Sequence, residues 1–181
     1  MNRFRTAALA KLKPFAVAAL AVMGCLAMTV QAAGDSPFTD FADQPRSIES
    51  FAGDGKWLVV MIWAHDCHVC NIEAESYAHF HETHKDKDAR MLGISMDGQA
   101  KRAEAEAFIE RHDLPFPNLI GDPGATMRHY RQLTGSSFRG TPTILLYAPD
   151  GTLTAAQAGA VPPESIEKFI ARGSGAGSAS G

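Results

Sequence analysis

Cysteine is scarce in this sequence. Only three occur in 181 residues, and just two of them, Cys67 and Cys70, lie beyond residue 32. A loop closed between positions 67 and 70 is too small to staple a domain together. This excludes the disulfide-built scaffolds that are typical of small secreted proteins.

Positive charge is also in short supply. The sequence has 17 Lys and Arg against 20 Asp and Glu, and four of the basic side chains fall in the segment MNRFRTAALAKLK. Without those four, the formal net charge falls from −3 to −7. An acidic domain has no electrostatic basis for binding a phosphate backbone, so we expect no nucleic-acid partner.

A long hydrophobic run occurs only near the start of the chain. There, a basic segment is followed by an apolar stretch from Pro14 to Val30 and by the small residues QAAG, which is the pattern of a secretory signal peptide. The stretch is marginal for crossing a bilayer, which takes about 20 apolar residues. We predict a signal peptide over 1–32 and a periplasmic protein. An uncleaved membrane anchor is the alternative, and a lipid anchor on Cys25 fits less well.

The other end of the chain is rich in glycine and serine. Residues 173–181 read GSGAGSASG, a composition that predicts a flexible tail with nothing to bury. The predicted domain therefore covers 33–172, a length typical of one hydrophobic core.

Hydrophobic patterning within this domain predicts alternating strands and helices. WLVVMIW (57–63) is a continuous apolar run, as expected for a strand that is buried on both faces, and the sequence PDG predicts a hairpin turn. The predicted strands are 57–63, 91–97, 143–148 and 152–159, and the predicted helices are 67–85, 105–112, 122–133 and one from Pro163. The order β-α-β-α-α-β-β-α predicts a three-layer α/β sandwich around a mixed sheet.

Two further predictions concern the side chains of helix 67–85. Helical spacing predicts one face made of Val69, Ile72, Ser76 and Phe80. The segment HFHETH runs into the charged KDKDAR and predicts a solvated helix end. The alternative is a metal shared by His81 and His84, which lie one turn apart on a helix.

The two cysteines stand where a predicted strand ends and a helix begins. The unpaired N–H groups and the positive dipole end of a helix stabilise a thiolate at Cys67. Cys70 lies one turn further in, close enough to form a disulfide with Cys67 but shielded from substrates. We therefore predict that Cys67 attacks a substrate disulfide and that Cys70 resolves the mixed disulfide.

The C-x-x-C spacing also serves haem and metal binding. A haem tether requires His directly after the second cysteine, and the residue there is Asn71. A copper- or zinc-binding chaperone stays open as the alternative function, with ligands His65, Cys67, His68 and Cys70. An oxidising compartment disfavours it because the two thiols would pair. We predict no metal and no dissociable cofactor, since the dithiol itself carries two electrons.

These residues also carry a family resemblance. WAHDCHVC after an apolar strand, with Pro142 in RGTPT further along, resembles the TlpA/ResA-like periplasmic thioredoxins from about Phe38 to Ala171. The resemblance implies a thioredoxin-like fold, with helices on both faces of a central mixed sheet. It also implies that Pro142 is cis beside the disulfide and that Thr141 and Pro142 line the substrate groove. The alternative is that Pro142 only begins a strand.

Three more residues complete the predicted site. By resemblance, Trp63 matches the tryptophan four residues before the first cysteine, so we expect it to pack near the site and place it among the substrate-binding residues. Glu73 matches a glutamate three residues after the second cysteine, where a half-buried carboxylate could move protons during exchange. The alternative is that Glu73 is an ordinary first-turn acid. His68 directly follows the nucleophile, where a protonated imidazole would stabilise the thiolate, and we place it at the substrate-binding surface.

Peroxide reduction is the activity of a family that shares this fold. Peroxiredoxins place Thr three residues before the peroxidatic cysteine and Pro four residues before that. The matching positions here are Ala64 and Val60, so we do not expect a peroxidase.

The sequence as a whole therefore predicts a periplasmic thiol–disulfide oxidoreductase. By resemblance, its substrates are protein thiols and disulfides, and it acts as a reductant that a membrane electron donor of CcdA or DsbD type recharges. We expect a monomer.

Overall fold

The computed structural model describes residues 36–177, and the predicted signal peptide lies outside them. The strands within these residues are β1 (Phe38–Asp40), β2 (Pro45–Arg46), β3 (Trp57–Trp63), β4 (Ala89–Ser95), β5 (Asn118–Gly121), β6 (Thr143–Tyr147) and β7 (Leu153–Ala158). The α-helices are α1 (His68–His84), α2 (Arg102–Arg111), α3 (Pro123–Thr134) and α4 (Pro163–Gly177). Among the described helices, none has the length and apolar character needed to cross a membrane.

The strands form one mixed sheet in the order β2-β1-β5-β4-β3-β6-β7. The central strands β3, β4 and β5 are parallel, because α1 and α2 connect them as crossovers. Strand β6 runs antiparallel to β3, and β7 extends the sheet as a hairpin partner of β6. The predicted mixed α/β sheet is confirmed.

Alternate residues of β3 are buried on opposite faces of the sheet. Val59, Met61 and Trp63 pack in one cluster with side chains of α1, α2 and α4. Leu58, Val60 and Ile62 pack in a second cluster that includes Tyr130 of α3. Helices therefore cover both faces, and the predicted three layers are confirmed.

Three strands, β1, β2 and β5, were missing from the sequence prediction. Strand β5 has only four residues, NLIG, and β1 has one buried residue, Phe38. Both gain their place by pairing with each other across a large sequence separation, Phe38 opposite Gly121. Such short segments carry no periodic signal of their own.

The predicted face of α1 is wrong for three of its four residues, and only Phe80 is buried. Val69 and Ile72 are 40% and 61% exposed, and Ser76 is also exposed. The buried face instead carries Cys70, Ala74, Tyr77, Phe80 and His81. Because Cys70 must point inward to be shielded, residues four and seven positions further along also face the core.

The prediction of a solvated helix end is wrong for His81. This side chain is buried, and its Nδ1 accepts a hydrogen bond of 3.1 Å from the backbone N–H of Met91. His84 lies 2.8 Å from Asp88 and 3.3 Å from Glu167 through its two ring nitrogens. The two rings have separate partners, so the arrangement does not support a metal shared between them.

Helix α4 extends beyond the predicted end of the domain. It continues through Gly177, so the tail boundary predicted at 173 falls inside the helix. The backbone of Gly173 packs on Trp57, since a Cβ at this glycine would lie 2.5 Å from the indole ring. This contact gives the glycine-rich segment a packing partner that its composition did not reveal.

Candidate active site

Cys67 lies at the junction between β3 and α1. It is the N-cap residue of α1, with φ −72° and ψ 110°. Its Sγ accepts a hydrogen bond of 3.1 Å from the backbone N–H of Cys70, and its own N–H donates to the carbonyl of Ala64 at 3.1 Å. The sulfur thus takes the place of the oxygen that normally caps a helix, facing N–H groups that favour negative charge.

Cys67 and Cys70 form a disulfide, with an S–S distance of 2.14 Å and a Cα–Cα distance of 5.2 Å. Their exposure differs: Cys70 has no exposed surface, whereas Cys67 is half-buried. A reagent approaching from solvent therefore meets Cys67 first. This asymmetry is compatible with the predicted division of roles.

Pro142 lies at the same edge of the sheet as the disulfide. Ile62 pairs with Thr143, so the end of β3 lies beside the start of β6. The Thr141–Pro142 peptide bond is cis, and the Pro142 carbonyl accepts a hydrogen bond of 2.8 Å from the N–H of Gly159. Thr141 is half-buried and Pro142 is buried.

Trp63 does not lie on the substrate-binding surface where it was predicted. It has no exposed surface, stacks on Phe108 with ring centroids 4.3 Å apart, and donates from Nε1 to Asn118 Oδ1 at 3.2 Å. Gly93 permits this approach, because a Cβ there would lie 1.8 Å from the Asn118 oxygen. Trp63 therefore supports the site by packing beneath it.

Glu73 and His68 flank the disulfide on α1. Glu73 is half-buried, and its charge adds to the effect of burial, which is the larger cause, in raising the pKa of Tyr77 to about 12. Tyr77 is hydrogen-bonded through its hydroxyl to Val161. His68 is exposed. Both positions allow the predicted roles, which remain predictions.

Asp97 was not predicted as part of the site. Its side chain is 4% exposed and accepts three hydrogen bonds, from the end of β4 and from the loop before Cys67. The ring Nδ1 of His65 donates at 2.6 Å, the backbone N–H of His65 at 3.0 Å, and Ser95 Oγ at 2.7 Å. Asp97 thus fixes both the backbone and the ring of His65, two residues before the nucleophile.

Asn71 is a second residue that the sequence did not identify. Its Nδ2 donates to the carbonyls of Cys67 at 2.9 Å and His65 at 3.2 Å. Its Oδ1 lies 3.0 Å from Nε2 of His112 and 3.2 Å from a nitrogen of Arg111. Burial, aided by Arg111, lowers the pKa of His112. Asn71 therefore links the cysteine loop to the end of α2.

One group of ligand-type side chains lies close together within residues 36–177, and it differs from the set named for the alternative metal site. Ligand-type atoms of His65, Asp66 and Asp97 lie within 4.8 Å of one another, and this group includes neither cysteine. Both oxygens of Asp97 already accept hydrogen bonds. In this structure both thiols are joined in the disulfide, so the thiol-based metal alternative, which concerns the reduced protein, stays a hypothesis.

The chain matches a known family over most of its length: residues 29–156 match the AhpC/TSA family. It is 33% identical over 98 residues to alkyl hydroperoxide reductase C of Mycobacterium tuberculosis, covering 51% of this chain and 50% of that protein. It is 29% identical over 97 residues to peroxiredoxin Bcp of Bacillus subtilis, covering 52% and 60%. The chain thus spans about half the length of the curated relatives it matches.

Solved structures share the same fold at lower identity. A secreted Mycobacterium tuberculosis disulfide oxidoreductase homologous to E. coli DsbE superposes with a TM-score of 0.58 at 23% identity, covering 74% of this chain and 92% of that one. StoA from Bacillus subtilis gives 0.55 at 17%, covering 72% and 91%. A thioredoxin-related protein from Neisseria meningitidis gives 0.60 at 19%, covering 74% and 95%. The predicted thioredoxin-like fold is confirmed.

Proposed function

Because the chain belongs to the AhpC/TSA family of thioredoxin-fold redox enzymes, we propose that it exchanges disulfides with protein substrates through Cys67 and Cys70. The observation that carries this proposal is the pairing of a half-exposed sulfur at a helix N-terminus with a fully buried one. A helix N-terminus stabilises the thiolate that exchange requires.

The proposed reaction begins with the reduced dithiol. The Cys67 thiolate attacks one sulfur of a substrate disulfide and releases the other as a thiolate, which takes up a proton. The Cys70 thiolate then attacks Cys67 Sγ in the mixed disulfide and releases the second substrate thiol. The substrate gains two electrons and two protons, and the protein is left with the Cys67–Cys70 disulfide.

Glu73 is our candidate for the group that moves a proton during the second step. It is half-buried on α1, one turn after Cys70. A carboxylate in this position can accept the Cys70 proton as that thiol becomes a nucleophile. If Glu73→Gln keeps the wild-type pH–rate profile, Glu73 does not transfer this proton.

The surface around Cys67 supports a protein substrate. Val69 and Ile72 expose apolar side chains on α1 beside the disulfide, where an unfolded or extended polypeptide could cover them. On the other side, Thr141 and Pro142 supply the backbone that we propose holds the substrate next to Cys67. The exposed His68 completes this surface.

We place the reaction in the periplasm, with the protein acting as a reductant. The signal-peptide pattern supports the location, as does the fold shared with a secreted disulfide oxidoreductase. In this scheme, a membrane donor of CcdA or DsbD type returns two electrons to the Cys67–Cys70 disulfide after each turnover.

Reduction of insulin disulfides by the reduced protein tests the proposal. Cys67→Ser should abolish turnover, whereas Cys70→Ser should accumulate a mixed disulfide that links Cys67 to the substrate. Alkylation before non-reducing electrophoresis would preserve that adduct. Wild-type turnover by Cys67→Ser, or an adduct formed through Cys70 in the wild type, would refute the assigned roles.

Peroxide reduction is the second candidate, because the curated relatives are named alkyl hydroperoxide reductase and peroxiredoxin. The alanine at position 64 offers no hydroxyl to orient a peroxide, so we expect hydrogen peroxide to oxidise Cys67 no faster than it oxidises free cysteine at equal thiolate concentration. Stopped-flow measurement of both rates decides between the candidates. A rate many orders of magnitude above that of free cysteine would make the protein a peroxidase.

A further inference from the structure

The two edges of the sheet differ in how they are protected. Edge strands tend to pair with other chains unless they are short or carry charges or proline. Strand β2 is such a protected edge: it has two residues, Pro45 and Arg46, and Arg46 pairs with Asp40 at 3.0 Å. Strand β7 is six residues long, LTAAQA, with neither charge nor proline. Its edge is open to pairing.

Backbone groups of β7 point away from the sheet at alternate residues. The N–H of Gly159 donates to the Pro142 carbonyl beside the Thr143–Ala158 pair. In an antiparallel ladder, this geometry turns the backbone of residues 157 and 159 toward β6 and that of Ala156 and Ala158 outward. The outward carbonyl of Ala158 already accepts a hydrogen bond of 2.9 Å from the Gln157 side chain, which an added strand would displace or share. The remaining outward groups of β7 here are the N–H and carbonyl of Ala156 and the N–H of Ala158.

A cleft lies against each face of β7. On the α4 side, a cleft of about 210 Å³ is lined by Ala155 and by an apolar group made of Ile144, Leu146, Val161, Ile166 and Phe169. On the α3 side, a cleft of about 530 Å³ is lined by Ala156, Ala158 and by the polar side chains of Ser136, Ser137 and Arg139. The alanines of β7 are too small to fill either space.

Each cleft also contains an arginine: Arg139 on the α3 side and Arg172 on the α4 side. Both are exposed, and neither forms an ion pair with another residue in 36–177. Other exposed cations, Arg128 among them, also have no ion pair within residues 36–177, but these two line the clefts on either side of one strand. They match a partner that brings carboxylates.

We propose that β7 is a strand-addition site for an extended, acidic segment of a partner protein. The segment pairs with the outward backbone groups of Ala156 and Ala158. Its alternate side chains enter opposite clefts, apolar groups against the half-buried Val161 and Phe169 and carboxylates against Arg139. Main-chain hydrogen bonds supply affinity in this mode of recognition, and pockets for alternate side chains supply specificity.

The site continues toward the disulfide. Ala158 pairs with Thr143, the residue after Pro142. A segment bound along β7 therefore runs to the edge of the sheet where Cys67 lies. The binding itself does not depend on thiol exchange and is tested separately from it.

A second copy of this chain fits the edge less well. Two β7 strands related by a two-fold axis would place alanine, threonine and glutamine opposite one another and leave both clefts empty. The same symmetry would bring two copies of Arg139 onto one face of the continued sheet. We therefore assign the edge to a different, acidic partner.

The test is selection of cysteine-free, random twelve-residue peptides on the oxidised protein, followed by affinity measurement with the leading peptide. We expect an alternating apolar–acidic consensus. Arg139→Glu removes the ion pair, and Ala158→Pro removes one outward N–H of the ladder. Each should weaken binding by about tenfold or more. Proline is compatible with an edge position whose N–H faces solvent.

Arg128→Glu is the matched control for charge, because Arg128 is also exposed and lies on α3 outside the residues that line the two clefts. It should leave binding within about twofold. Equal thermal unfolding of all variants excludes a folding defect. A consensus without acidic residues, no enrichment, or unchanged affinity for Arg139→Glu would overturn the proposal. So would a dimer in light scattering that Ala158→Pro converts to a monomer, because the edge would then belong to a second copy.

Discussion

At the scale of single residues, Asp97 organises the loop that precedes Cys67. Its buried carboxylate accepts donors on both oxygens: the His65 ring on Oδ1, and the His65 N–H and Ser95 hydroxyl on Oδ2. Hydrogen bonds to a charged acceptor are stronger than neutral ones. A neutral amide replaces this group poorly: its oxygen is a weaker acceptor for the His65 N–H and the Ser95 hydroxyl, and its NH₂ would require the His65 ring to change tautomer so that Nδ1 accepts.

The Asp97→Asn substitution should therefore destabilise the protein by about 2–3 kcal/mol, the cost of losing a charged acceptor in a buried position. Denaturant unfolding at pH 7 measures this change. Asp66→Asn is the matched control, since Asp66 is exposed on the same loop and its loss should leave the midpoint unchanged. Equal midpoints for both variants would show that the Asp97 contacts do not hold the loop.

At the scale of elements, α1 has two different functions on its two faces. One face buries Cys70, Ala74 and Tyr77 in the core. The other exposes Val69 and Ile72 beside the disulfide. Because Val69 and Ile72 lie outside the core, substituting them should not change its packing. Their contribution to substrate binding can therefore be measured separately from stability.

Ile72→Glu should raise the KM for a protein disulfide such as insulin by about tenfold, because it places a charge on the apolar contact surface. Reduction of a small aromatic disulfide, which does not need that surface, should stay within about twofold of the wild-type rate. Ser76→Glu, one turn further along the exposed side, is the control. A parallel loss with both substrates would point to damage at the cysteines instead of lost docking.

Elements with a strong local pattern could be predicted from the sequence, and the others depended on distant contacts. Strand β3 could be predicted because it consists of seven consecutive apolar residues, all of which are buried. Strands β1 and β5 are short and become strands by pairing with each other. The face of α1 was mispredicted because the apolar Val69 and Ile72 serve the surface, whereas Cys70 fixes which side is buried.

The candidate site follows the same rule. Cys67 and Cys70 could be placed from their position between a strand and a helix. The bonds of His65 to Asp97 and of Asn71 to His112 join residues 32 and 41 positions apart. The first bond exists because the parallel strands β3 and β4 end at the same edge of the sheet, and the second joins the start of α1 to the end of α2. No local pattern indicates such pairs.

At the scale of the whole molecule, the buried His81 and the half-buried His112 and His129 link stability to pH. Burial lowers the pKa of His81, His112 and His129 in the folded protein. In the unfolded chain, the histidine pKa is about 6.5. The unfolded chain therefore binds more protons than the folded one as the pH falls. Stability is therefore complete above about pH 6.5 and is lost progressively as the pH falls from there through the lowered folded-state values.

His129→Phe should reduce the slope of unfolding free energy against pH between about pH 5 and 7. The ring packs edge-on against Phe38, with centroids 5.2 Å apart, and its buried Nε2 has no hydrogen-bond partner among the described residues. Phenylalanine keeps the packing and removes the titrating group, so stability at pH 7 should not fall. His79→Phe, at an exposed position, should leave the slope unchanged. A slope equal to that of the wild type in His129→Phe would contradict this account.

The reduction potential of the Cys67–Cys70 couple tests the central claim most directly. Thiol alkylation after equilibration in graded redox buffers gives the fraction of protein in each state. We predict one reversible two-electron transition at about −240 mV or below, toward thioredoxin on the scale of known dithiols. The absence of a reversible transition would contradict disulfide exchange at these cysteines, and a value above about −150 mV would contradict the reductant role.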